Sequence, residues 1–114
     1  MNYDLEERTA LFGEEMISFV KTLTKDVINS SLIRQIIRSS TSIGANYMEA
    51  NGASSKKDFR NKIMICRKEC RETKHWLRML AKANDNNKEE CKKLWKEVHE
   101  LTLIFSKIIS SSLK

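Results

Sequence analysis

Apolar residues along this chain recur at steps of three and four in four separate stretches. In the first, Leu5, Thr9, Phe12, Met16, Phe19, Val20 and Leu23 fall on one stripe, the spacing of an amphipathic α-helix. The second carries Leu32, Ile36, Ile43, Tyr47 and Ala50, widened by Ile33, Ile37 and Gly44. Its middle is small (Ser39, Ser40, Ser42, Gly44, Ala45), which predicts close approach of a neighbouring helix in spite of weaker helix propensity. The third runs from about Lys56 to Ala83 and turns Phe59, Ile63, Cys66, Cys70, Thr73, Leu77 and Leu80 toward a core. The fourth keeps Cys91, Leu94, Val98, Leu101, Phe105, Ile108 and Ile109 in register.

Three short joints separate these stretches. Thr24-Lys25-Asp26 and Asn29-Ser30 interrupt the pattern and offer N-caps. Gly52, within Asn51-Gly52-Ala53-Ser54, suits a left-handed helix end. Ser55-Lys56-Lys57-Asp58 resembles a capping box with Asp in the place of Glu or Gln. Asn84-Asp85-Asn86-Asn87 makes the third break. At about 1.5 Å per residue each helix should span roughly 30–40 Å, and short joints force sequential helices to pack antiparallel. The predicted fold is all-α, one antiparallel up-down-up-down four-helix bundle over residues 1–114.

Composition narrows the reading further. The chain has no proline and three glycines, too few for a turn-rich β fold. No apolar run approaches the ~18 residues of a membrane span. The acidic start, Met1-Asn2-Tyr3-Asp4-Leu5-Glu6-Glu7, lacks the apolar segment of a secretory signal. The expected location is therefore cytoplasmic, with no membrane partner. Cys66, Cys70 and Cys91 are odd in number and read as reduced thiols.

Charge adds a sharper feature. The net charge is +6, and residues 54–82 hold ten Lys/Arg against three Asp/Glu. With Phe59 set at zero on an ideal helix, Lys74, Arg67, Arg60, Arg78, Arg71, Lys82, Lys57 and Lys68 follow at roughly 60° to 180°. Glu72, Asp58 and Glu69 lie opposite, at roughly 220° to 280°, and only Lys62 breaks the segregation. Like charges thus stack at Arg67/Arg71, Arg71/Lys74 and Lys74/Arg78, where interspersed signs would stabilise a solvated helix. A polyanion would offset the repulsion. The candidate nucleic-acid contacts are Lys57, Arg60, Arg67, Lys68, Arg71, Lys74 and Arg78, touching phosphates without reading sequence. Two alternatives stay open: the stripe docks an acidic protein partner, or the assembly is purely structural and a neighbouring helix or subunit neutralises it. Asp4, Glu6, Glu7, Glu14 and Glu15 of the first helix are the available acids.

A second apolar face accompanies the acidic flank. Ile65, Trp76 and Met79 fall at roughly 200–260°, away from the seam, and Trp95 and Leu103 lie off the main seam of the fourth helix. Apolar groups on a second face predict a subunit interface, with Ile65, Trp76, Met79 and Trp95 as its candidates. The alternative places Trp76 along a groove between helices. Self-association would repeat the basic stripe and raise affinity for an extended polyanion.

Several of these residues also carry a family likeness. Ser42-Ile43-Gly44-Ala45-Asn46-Tyr47-Met48-Glu49-Ala50, then Ser55-x-x-Asp58-Phe59, then Lys68-Glu69-x-x-Glu72-Thr73-x-x-Trp76-Leu77-x-x-Leu80 resemble the bacterial four-helix-bundle proteins encoded by intervening sequences in 23S ribosomal RNA genes. The first and fourth helices match only in length and pattern. The resemblance implies a fold shared with the basic accessory protein of diversity-generating retroelements, and a homopentameric, barrel-like ring. It implies nucleic-acid binding as the suspected role. The chain departs from commoner members in lacking proline after the first helix and in carrying Cys66 and Cys70 where small residues are frequent. Asn46, Glu49, Glu69 and Glu72 sit beside helix seams, where hydrogen bonds or pairs with Arg34 or Arg38 would fix register.

Catalytic chemistry is not expected. Cys66, Cys70 and Cys91 with His75 or His99 match no zinc spacing and read as small buried hydrophobes. A di-iron bundle needs Glu-x-x-His on two helices, and here it occurs once, at Glu72-Thr73-Lys74-His75. No Gly-rich phosphate loop is present. The sequence thus predicts no enzyme, metal, cofactor or small-molecule substrate.

Overall fold

The four apolar stripes become four α-helices in the computed structural model, which describes residues 4–113. They are α1 (Leu5–Val20), α2 (Val27–Asn51), α3 (Lys56–Ala83) and α4 (Lys88–Ser112), with a single 3₁₀ turn, Asp85–Asn87, between the last two. The described residues contain no strand.

Side-chain caps start three of the helices. The carboxylate of Asp4 accepts from the Glu6 N–H at 2.8 Å, and Asp26 accepts from the Asn29 N–H at 2.8 Å. Each satisfies one of the donors that a helix start leaves orphaned. Ser55 Oγ accepts from the Asp58 N–H at 3.0 Å, but the Asp58 carboxylate takes the Ser54 hydroxyl at 2.8 Å, so only half of a capping box forms. Gly52 departs from expectation. It closes α2 at φ −99°, outside the left-handed region, with its N–H donating to the Glu49 carbonyl at 3.1 Å. Asn29 departs too, lying inside α2 and buried.

Sequential helices run antiparallel, as their cross-links show. The end of α2 meets the start of α1 where Asn51 Nδ2 donates to Glu6 at 3.3 Å. The α2–α3 seam is pinned at Lys62–Glu49, Thr73–Ser39 and Asn84–Asn29, and the α3–α4 seam at Arg60–Ser112 and Arg67–Ser106. Helix α1 packs on α2 and α4, and none of its Cα atoms comes within 8 Å of one in α3, so it lies diagonally across an up-down-up-down bundle from α3. With 16 residues it is about 24 Å long, shorter than the pattern through Leu23 suggested.

Phe12, Met16, Ile36, Ile43, Ile63, Leu77, Leu80, Leu101 and Phe105 fill the centre. Each large side chain withdrawn from water in this way contributes roughly 1.5–3 kcal/mol. The small residues of α2 admit α1 closely: a Cβ on Gly44 would stand 3.3 Å from Thr9 Oγ1. Cys66, Cys70 and Cys91 are buried free thiols. Burial in apolar surroundings pushes Cys66 and Cys70 up to about 12 and Cys91 up to about 11.

Candidate nucleic-acid interface

Helix α3 is gripped on both flanks, and the two flanks differ in charge. The acidic flank meets α2. There Arg38 reaches Glu69 at 3.4 Å and also pairs with Glu72, while Ser42 Oγ donates to Glu69 at 3.1 Å. Asn46 Nδ2 donates back to the Ser42 carbonyl and hydroxyl at 2.9 and 3.0 Å. Glu49 takes Lys62 at 2.6 Å; this hydrogen bond and its charge raise the Lys62 ammonium above its ordinary range. The four polar residues read as register-setting thus lie in or beside the α2–α3 seam. Arg38 joins the network, and Arg34 is absent from its bonds.

The basic flank faces α4. Arg60, Arg67 and Lys74, seven residues apart, step along the α3–α4 groove and bind groups other than carboxylates. Arg60 donates to Ser112 Oγ and to the Ser112 carbonyl, each at 3.2 Å. Arg67 donates to Ser106 Oγ at 3.3 Å. Lys74 Nζ lies 2.8 Å from His99 Nδ1. Lys57, Lys68, Arg71 and Arg78 stand farther out, exposed to solvent.

None of these seven cations is ion-paired among the described residues. The ion pairs belong to Arg8 (with Glu97 and Glu100), Arg38, Lys62 and Lys88 (with Asp85). Lys62, the cation that broke the charge segregation, is among the paired ones. None of the carboxylates of α1 forms an ion pair with the stripe among the described residues.

The four residues expected at a subunit interface do not share one surface. Ile65, Trp76 and Met79 are half-buried on the α2 side of α3. The Trp76 indole packs against the core, with its Nε1–H donating to Glu72 at 3.0 Å and its ring edge-on to His75 at 4.8 Å. It lies along the groove between α2 and α3, where its partner Glu72 also pairs with Arg38. Trp95 sits on the other flank, among the cations: His99 stacks on it at 5.0 Å and 12°, and Lys74 Nζ stands 4.6 Å from its ring centroid. Sequence reasoning missed this cluster. The available signal was the four-residue step from Trp95 to His99, which puts both on one helix face.

Among the described residues, no three His, Cys, Asp or Glu side chains are grouped to hold a metal ion. No helix is long and apolar enough to cross a membrane.

Comparison with known proteins agrees with the fold. The family described as 23S rRNA-intervening sequence protein matches residues 2–107. A crystal structure of a protein of unknown function from the S23 ribosomal protein family of Bacteroides thetaiotaomicron VPI-5482 superposes with a TM-score of 0.82 at 30% identity. The match covers 93% of this chain and 98% of that one. No curated protein matches the sequence.

Proposed function

The chain belongs to the 23S rRNA-intervening sequence protein family, and we propose that it is a non-enzymatic bundle that binds the phosphate backbone of nucleic acid. One observation carries this reading: seven cations line one flank of α3 without a carboxylate partner among the described residues, while Arg8, Arg38, Lys62 and Lys88 have theirs. Like charges so close together destabilise the free helix and favour any ligand that supplies the missing anions. Backbone contacts of this kind position a nucleic acid without selecting its sequence.

Self-association, as a homopentameric ring, is part of the proposal. Ile17 and Met48 are 43% and 59% exposed and border a groove floored by Gly13, Gly44 and Ala45. That groove lies between α1 and α2, opposite the basic flank, so a ring closed through it would leave every stripe open. Repetition of the stripe raises affinity for a long polyanion through multivalency.

The test is fluorescence anisotropy with labelled RNA and DNA at low salt, beside light scattering. Binding that falls steeply with salt, and is abolished by Arg67→Glu with Arg71→Glu, is the expected result. Absence of binding, with an oligomer that salt dissociates, would show that the stripe serves subunit contacts instead. A 13.3 kDa particle would overturn self-association.

A further inference from the structure

The basic flank contains an aromatic surface as well as charge. Trp95 is 38% exposed, although it stacks on His99 and lies beside Lys74. The geometry of the three groups fixes which face of the indole is covered. His99 lies parallel to the indole at 5.0 Å, Lys74 Nζ stands 4.6 Å from the indole centroid, and Nζ and His99 Nδ1 are only 2.8 Å apart. A lysine on the opposite side of the ring would be far beyond hydrogen-bond reach of that imidazole. Lys74 and His99 therefore share one side of Trp95. The other side carries no aromatic or cationic partner among the described residues.

The Lys74–His99 bond also holds the platform in place. An ammonium only donates, so in this bond His99 Nδ1 is the acceptor. The imidazole is thereby fixed behind the indole, and less side-chain freedom is lost when a ligand stacks in front. The same flank carries exposed cations with no carboxylate partner among the described residues: Arg71 and Arg78 from α3, and Lys92 and Lys96 within about 100° of Trp95 on α4.

We infer that this flank binds single-stranded nucleic acid, with an unpaired base stacked on the open face of Trp95 and the flanking phosphates on Arg71, Arg78, Lys92 and Lys96. This rests on the phosphate-binding reading above and narrows it. Stacking requires an unstacked base, which a continuous duplex does not offer. A π-face beside a cationic groove binds every base alike, so no sequence preference follows.

The experiment compares oligo-deoxythymidine with a duplex of equal length, at matched salt, using wild type, Trp95→Ala, Trp95→Phe and Arg67→Glu/Arg71→Glu. The expected result is at least about a fivefold loss of single-strand affinity for Trp95→Ala, no change on duplex, and recovery in Trp95→Phe. Stacking should also quench tryptophan emission in the wild type, and the quench should vanish in Trp95→Phe although Trp76 remains. That readout holds even if Trp95→Ala fails to fold. Wild-type binding with equal effects of Trp95→Ala on both ligands, and no quench, overturns the stacking inference alone. A wild type that binds neither ligand overturns the phosphate reading and this inference with it.

Discussion

Asn29 and Asn84 face each other across the α2–α3 seam and exchange two amide hydrogen bonds, each of 2.9 Å. Each also donates to a carbonyl, Asn29 to Thr24 at 2.8 Å and Asn84 to Leu80 at 2.9 Å. The first turn of α2 is thus tied to the end of α3, and the linker after α1 is tied to both. Asn29 is 2% exposed, so water cannot replace a lost partner.

Substitution Asn29→Asp keeps the size but removes both donations from this buried group. It should lower stability by about 1–3 kcal/mol, the cost of stranding buried polar groups. Urea unfolding of Asn29→Asp against the wild type measures it; an unchanged midpoint would mean the pair is ornamental. Asn84→Asp should cost less, because Asn84 is only half-buried.

The two helical glycines facing the α1–α2 contact should respond in opposite ways to alanine. A Cβ on Gly13 would meet Thr41 at an ordinary 3.7 Å, whereas a Cβ on Gly44 would meet Thr9 Oγ1 at 3.3 Å. Gly13→Ala should therefore stabilise by up to about 1 kcal/mol through helix propensity. Gly44→Ala should lose that gain to the contact with Thr9, which is buried and cannot swing away. Thermal melts of both, and of Gly44→Ala in a Thr9→Ala background, check this. Restoration of the gain in the double variant is the expected coupling.

The thiols give a prediction in pH. Cys66, Cys70 and Cys91 are held neutral in the fold by burial, at about 12, 12 and 11, against an ordinary 9.0. Above pH 9 the unfolded chain sheds thiol protons that the folded chain keeps. Their contribution is complete below pH 9 and is lost as pH climbs through the folded values. Melting temperature should fall from pH 9 to 11, and less steeply when all three are alanine. The native protein should also resist thiol-modifying reagents at pH 8 until denatured; rapid modification of the folded chain would contradict the burial.

Much of this was legible in the chain because helix periodicity is a local signal. Phe12, Ile36, Ile63 and Leu101 read as core and are core, and the charge sorting of α3 follows from its rotation alone. Features that depend on how one helix is rotated against another were not legible. Trp95 off its seam looks the same whether it meets a subunit or a lysine; the packing of α3 on α4 decides it. Ser106 and Ser112, which anchor Arg67 and Arg60, give no periodic signal. Asn29 and Asn84 looked like breaks because Asn favours helix ends. Their pairing joins residues 55 apart, and no local window contains it.

The last prediction separates position of charge from amount of charge. Arg71 lies on the unpaired stripe, whereas Lys25 is exposed on the linker between α1 and α2. Arg71→Glu and Lys25→Glu change net charge equally. If attraction to nucleic acid were a property of the chain's overall +6, both would weaken binding alike. If phosphates sit on the stripe, Arg71→Glu weakens binding strongly and removes a counterion-releasing contact. The slope of log K against log salt then drops by about 0.7 for a single strand or about 0.9 for duplex DNA. Lys25→Glu should lower affinity only through the long-range field, which salt screens beyond about 10 Å at 0.1 M, and should leave the slope intact. Titrations of the two variants across a salt series decide between these outcomes, and equal slopes would remove the stripe from the binding surface.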